Sequence, residues 1–252
     1  MESLQLPNRR INFLKYPIDN LIFSEVLKVI DLFVKARVPQ QVSVMNANKM
    51  YLMDKKPELK KAIINSGLIL GENAIYFGSK WINKPLKGKN IGGIRLIQTL
   101  LEQSTINRYR YYFLGSTDKI IGKMKERCAQ LYPDLGTVGW HHGYFSEEES
   151  DNIVTKIRQT KPDILFVALG SPKQELWIYN NLENLEVPVC IGVGGSFEVI
   201  SGIKKDVPRW TKNGFEWFFR SLQDPKKFKR YLVINTYFMI QISKYFLGLF
   251  EE

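Results

Sequence analysis

From residue 111 to residue 193 the chain repeats one pattern. A short apolar run meets a glycine- or proline-marked break, and a longer stretch follows with apolar residues every three or four positions. The runs 111–114, 137–140, 164–169 and 187–193 predict strands. The unbroken apolar character of 164–169 predicts a strand covered on both faces. The stretches 119–131, 147–159 and 174–182 predict the intervening helices. Upstream, 10–22 alternates loosely around a Pro-Ile-Asp-Asn break and predicts a hairpin or strand-turn. Residues 23–36 carry Val26, Leu27, Ile30, Leu32, Phe33 and Val34 and predict a helix with one broad buried face. Short strands at 41–45 and 68–70, helices at 49–53, 57–66, 74–82 and 92–102, and a basic loop at 84–90 complete the first half. This order predicts an α/β fold, a Rossmann-like parallel sheet with right-handed crossovers and helices on both faces, plus a C-terminal helical appendage. Residues 1–202 form the core, in lobes of about 1–108 and 109–202, and 203–252 form the appendage. Ligands of such sheets bind at the carboxyl ends of the strands.

One of those ends has a turn with its own chemistry. Residues 162–181 read PDILFVALGSPKQELWIYNN: the strand stops at Gly170, Ser171 is placed as a helix N-cap, and Pro172 takes the first helical position. Gln174 stands three residues after Ser171, the spacing of a capping box. A strand that turns into a helix N-terminus aims backbone N–H groups at the sheet edge, which suits a phosphate or diphosphate. The same spacing also describes a well-capped α/β turn with no ligand.

The composition, 44% hydrophobic and 24% charged over 252 residues, is ordinary for a globular chain. The net charge of +11 is not, and it points to an anionic partner: nucleic acid, anionic lipid, or a nucleotide or diphosphate substrate. Two cysteines, Cys128 and Cys190, and two histidines, His141 and His142, form no zinc-ligand spacing. No paired carboxylates sit at a strand end, so no metal is expected. The first ten residues lack the apolar core of a signal peptide, and no segment holds the roughly eighteen uninterrupted apolar residues of a bilayer span. The tail differs from the rest. KKFKR at 226–230 precedes an aromatic, amphipathic stretch at 231–250, which suits either a membrane surface or a helix docked on the core.

Three blocks in order resemble the WecG/TagA/CpsF glycosyltransferases of bacterial surface-polysaccharide synthesis: GSPKQELW in the turn above, GVGGSFEVISG at 192–202 and GFEWFFRSLQDPKKFKRYL at 214–232. The resemblance implies an inverting, metal-independent transfer of an N-acetylhexosamine or related hexose from a UDP donor to a polyprenyl-diphosphate-linked acceptor, with no cofactor. It also implies a cytoplasmic protein, peripheral on the inner face of the cell membrane, whose appendage docks on the anionic surface and closes the site. Glu72 is then the candidate base, with Asn46 and Gln174 beside it. Gly170, Ser171 and Lys173, then Gly194, Gly195, Ser196 and Glu198, and Tyr144, Arg220 and Arg230 are candidate substrate contacts. Several positions depart from the family pattern. Glu72-Asn73 stands where members show Asp-Gly, and Val44 where many show Thr. Asn90 and Arg95 replace an Arg and an Asp, and Asp206 replaces a basic residue. These changes bear on donor identity. Read without the resemblance, Asn46 and Gln174 are caps, Glu72 a solvated strand-end acid and Tyr144 a core aromatic.

The alternative is a non-catalytic module that binds a nucleotide-sugar or nucleic acid. The chain has no RRM, KH or zinc-finger pattern and its basic residues are dispersed apart from the tail, so no nucleic acid is expected. NAD chemistry would require Gly-x-Gly-x-x-Gly at the first turn of a βαβ unit, which Gly115-Ser116-Thr117-Asp118 does not supply. A homo-oligomer is compatible with the sequence and not specified by it.

Overall fold

The computed structural model describes residues 9–89, 91–204 and 228–249. Arg220, Asn90, Asp206 and most of the third resembling block lie outside them. The chain opens with the predicted hairpin, β1 (Arg10–Phe13) against β2 (Tyr16–Asp19), antiparallel with Arg10 opposite Asp19. Helix α1 (Phe23–Ala36) follows, then β3 (Gln40–Met45), α2 (Ala47–Lys55), α3 (Pro57–Ile64), β4 (Leu68–Gly71), α4 (Asn73–Trp81), α5 (Gly93–Glu102) and a short α6 (Ser104–Asn107). The second half runs β5 (Tyr111–Gly115), α7 (Asp118–Leu131), β6 (Thr137–His141), α8 (Glu147–Thr160), β7 (Ile164–Ala168), α9 (Lys173–Leu185), β8 (Val189–Gly192) and α10 (Ser196–Ile200). The tail helix, α11, spans Phe228–Phe246.

The six strands β3 to β8 form one parallel sheet in the order β4-β3-β8-β7-β5-β6. The predicted doubly covered α/β sheet is therefore the observed one. Period-two alternation sorts its side chains even though both faces are apolar. Phe113, Phe166 and Ile191 pack with α1, α5 and α7, while Leu114, Leu165, Val167 and Cys190 pack with α8 and α9. Gly115 lies where β5 passes β7 so closely that a Cβ would fall 2.5 Å from the backbone of Ala168. A third cluster gathers α2, α3, the hairpin and α11 around Met45, Met50, Phe13 and Phe238.

Strand order fixes where a crevice can open. β5 leads through α7 to β6, whereas its neighbour β7 leads through α9 in the opposite direction to β8. Adjacent strands whose connections diverge leave a gap at their carboxyl ends, the usual ligand site of an open α/β sheet.

Two expectations are corrected. The capping box at Ser171 is absent. Pro172, in an αR backbone, takes the N-cap position of α9 with no side-chain cap, and the Ser171–Pro172 peptide is cis. Ser171 Oγ instead donates to Glu175 Oε1 at 3.0 Å. Among the described residues a capping box forms at Ser146–Glu149 on α8, and on α1 Glu25 Oε2 accepts the Ile22 N–H at 2.8 Å. The predicted strand 187–193 is also shorter, since Pro188 has no N–H to give the ladder and the chain bends away after Gly192.

Candidate active site

The carboxyl ends of β3 and β4 bring Asn46 and Glu72 together. Asn46 is the N-cap of α2: its backbone is extended, and its Oδ1 accepts the Lys49 N–H at 3.0 Å. Its other side-chain end is free of that duty, and Nδ2 donates to Glu72 Oε2 at 3.0 Å. Asn46 is thus both the cap of α2 and a hydrogen-bond donor to Glu72. Glu72 occupies the N-cap position of α4 but makes no side-chain cap bond. Its backbone N–H donates to Met45 O across the strands, which fixes where the carboxylate emerges. The start of α5 closes over it, with a Cβ on Gly92 falling 3.2 Å from Glu72 Oε1.

The ends of β7 and β8 meet through Gln174. Its Oε1 accepts the Gly194 N–H at 3.0 Å and its Nε2 donates to Glu175 Oε1 at 2.7 Å. Gln174 is only 2% exposed. It ties the signature turn to the glycine turn from beneath rather than reaching outward. Gly170 has a positive φ of 76° and gives its carbonyl to the Gln174 N–H. Gly195 follows Gly194 in the second turn, with Glu198 one helical turn on. The Ser196 hydroxyl is buried and donates to Val193 O, so this side chain does not face the edge. The Glu198 carboxylate lies 3.5 Å from Lys204 Nζ.

Sequence reasoning missed the ion pair under this surface. Lys49 Nζ lies 2.8 Å from Glu175 Oε1, with both side chains almost fully buried, and also donates to Val44 O at 2.7 Å. Glu175 Oε1 thus collects Lys49, Gln174 and Ser171, while the buried Oε2 has no hydrogen-bond partner among the described residues. In the sequence, Glu175 reads as an ordinary first-turn acid and Lys49 as a solvated lysine. No local signal marks either as interior.

At the diverging strands β5 and β7 lies a hollow of about 560 Å³. Ser116, Gly143, Tyr144, Phe145, Glu149 and Lys173 are among its lining residues. Lys173, the first residue of α9, holds its ammonium 5.1 Å from the centroid of the Phe145 ring. Tyr144 is 73% exposed, an aromatic offered to solvent rather than a core residue. The hollow brings together a cation, an exposed aromatic ring, hydroxyls and the Glu149 carboxylate. It lies beside β7, three strands from β4, hence about 14 Å along the edge from Glu72 at the usual strand spacing of about 4.8 Å. A nucleotide, a diphosphate and a sugar ring laid end to end can cover that distance.

The structure thus gathers Asn46, Glu72, Gly170, Ser171, Lys173, Gln174, Gly194 and Tyr144 along one edge. Arg230 is exposed at the start of α11 and rests over the neighbouring Tyr231 ring, without a described contact to this edge. His141 Nδ1 is engaged 2.6 Å from His142 O. Among the described residues, no group of three or more His, Cys, Asp or Glu side chains could hold a metal ion.

Comparison with known proteins covers nearly the whole chain. A family model described as "Glycosyl transferase WecG/TagA/CpsF family" matches residues 11–251. Proteins named N-acetylglucosaminyldiphosphoundecaprenol N-acetyl-beta-D-mannosaminyltransferase, from Staphylococcus aureus strains MW2 and NCTC 8325 / PS 47, are each 32% identical to it. The match extends over 217 residues, 85% of this chain and 80% of theirs.

Proposed function

The chain belongs to the WecG/TagA/CpsF family of glycosyl transferases, and on that premise we propose that it moves an N-acetylhexosamine from a UDP donor to a sugar carried on a polyprenyl diphosphate, with inversion and without a metal ion. The relatives' name supplies the acceptor class, an N-acetylglucosaminyl diphosphoundecaprenol. The observation that carries the mechanism is the Asn46–Glu72 hydrogen bond of 3.0 Å. It supports a carboxylate oriented by a neutral donor at a strand end, as a general base requires.

In this reading the nucleotide occupies the hollow between β5 and β7, with Lys173 toward the diphosphate and Tyr144 against the base or ribose. The sugar then extends past the Gly194 turn toward Glu72. The acceptor hydroxyl gives its proton to the Glu72 carboxylate as its oxygen bonds to the anomeric carbon. The bond from that carbon to the diphosphate oxygen breaks on the opposite face, and UDP leaves with the electron pair. Holding both reactants in line supplies much of the acceleration, and Lys173 offsets the charge developing on the leaving group.

The appendage fits the same reading. Ile234, Phe238 and Ile242 of α11 are buried against the core, whereas Leu232, Val233, Met239, Ile240 and Phe246 face outward. No helix among the described residues is long and apolar enough to cross a membrane. The outward face, next to Lys229, Arg230 and Lys244, suits an anionic membrane surface where a lipid-linked acceptor resides.

The test is UDP release with a panel of UDP-sugars and a short-chain prenyl-diphosphate N-acetylglucosamine. Release that depends on the acceptor is expected with at least one donor. No release with any donor, with UDP still raising the melting temperature, would favour the binding-module alternative.

A further inference from the structure

We propose that the buried Lys49–Glu175 pair is a positioning device for the transfer reaction, setting the two sides of the cleft against each other; the inference rests on the glycosyl-transfer reading above. The observation behind it is a continuous chain of polar contacts beneath the strand ends. Glu72 Oε2 accepts from Asn46 Nδ2, and Asn46 Oδ1 accepts the Lys49 N–H. Lys49 Nζ pairs with Glu175 Oε1, which also takes Gln174 Nε2, and Gln174 Oε1 accepts the Gly194 N–H. This route from the candidate base on the β4 side to the glycine turn of β8 passes through the pair.

Stability alone is a poor reason for such a pair. Removing two charges from water costs several kcal/mol per ion, and apolar replacements of buried pairs are often neutral or stabilising. The geometry is also uneven. Glu175 crowds three donors onto Oε1 and leaves buried Oε2 without a partner among the described residues. What the uneven geometry achieves is orientation. With Nε2 drawn to the carboxylate, the Gln174 amide must turn Oε1 toward Gly194. With its ammonium held between Val44 O and Glu175, Lys49 anchors the first turn of α2, where Asn46 is the cap. Neither residue is a catalytic residue in this account, since both lie below the surface.

The experiment compares three forms of the full chain, Glu175→Gln, Lys49→Met and the double variant, by thermal melting and by acceptor-dependent UDP release. Each single change leaves one buried partner uncompensated, so both are expected to melt below the wild type. The double variant removes both charges and is expected to recover most of the melting temperature. Its kcat is nevertheless expected to stay about ten- to hundredfold down, the penalty of small misplacements in a reacting pair, with donor KM little changed. A double variant that recovers wild-type melting and wild-type kcat together would overturn the proposal and leave the pair purely structural. Should the double variant not fold, Glu175→Gln decides: a folded single variant with kcat within about twofold of wild type overturns it equally. Absence of turnover in the wild type is a different result. It overturns the glycosyl-transfer reading itself, and this inference with it.

Discussion

At the residue scale, one asparagine carries two duties that a substitution can separate. Asn46→Asp keeps an oxygen for the Lys49 N–H, so the α2 cap survives. Loss of the cap in Asn46→Ala costs about 1 kcal/mol. Asp at 46 removes the donor to Glu72 and sets a second carboxylate against the first. Like charges at this range disfavour ionisation, so the carboxyl pKa of the pair rises. A base must be deprotonated to act, and the acid limb of the pH–rate profile is therefore expected to move to higher pH while melting changes little. An unmoved acid limb would mean that Glu72 is not the titrating base. At this scale the sequence was only partly legible. Strand ends and their glycines locate Asn46, Glu72 and Gly170, because local spacing determines them. The capping box expected at Ser171 and Gln174 does not form, because its spacing says nothing of a carboxylate at Glu175 that draws both side chains inward. Lys49 and Glu175 were invisible for the same reason, since what buries them is contact between elements more than a hundred residues apart.

At the scale of elements, the docking of α11 depends on a polar latch at the edge of an apolar seam. Tyr16 OH donates to Asp54 Oδ1 at 2.8 Å, Tyr237 OH donates to Asp54 Oδ2, and Lys15 Nζ lies 2.7 Å from Asp54 Oδ2. Hairpin, α2 and α11 thereby meet at one carboxylate. Beside it, Gly78 lets α4 approach so closely that a Cβ would fall 2.7 Å from the Phe238 ring. Burial alone would raise the Asp54 pKa, but the hydrogen bonds from Lys15, Tyr237 and Tyr16 outweigh it and hold the carboxyl below its ordinary value. A carboxyl depressed in the folded state contributes stability that is fully present above its unfolded pKa of about 3.9 and is lost as pH falls through the folded value. The wild type is thus expected to melt above Asp54→Asn at neutral pH, with the gap closing below about pH 4. A gap that stays constant down to pH 3 would assign the latch no charge. The sequence offered both docking on the core and contact with a membrane for this tail. The apolar period places Ile234, Phe238 and Ile242 on one face, but the partners in the hairpin could not be read from it.

At the scale of the whole molecule, a chain of net charge +11 exposes apolar side chains along its tail helix. Trp81, at the end of α4, is exposed, and Lys84 lies 5.5 Å from the ring centroid of Tyr245 on α11. The protein is expected to sediment with vesicles containing phosphatidylglycerol far more than with phosphatidylcholine alone, and to be released by salt. Equal binding to both would remove charge from the picture and leave only apolar insertion. Parallel-sheet class and element order were readable throughout, since buried runs and helical periods are local properties. The strand order was not, and it is the order that makes β5 and β7 diverge and opens the hollow beside Lys173.

The most direct test of the central claim is kcat for Glu72→Ala against wild type in acceptor-dependent UDP release at saturating donor. Loss of a positioned general base predicts a fall of about 10²- to 10⁴-fold with UDP binding retained. Turnover within a few-fold of wild type would contradict the assignment, leaving a glycosyl transferase whose base is some other residue.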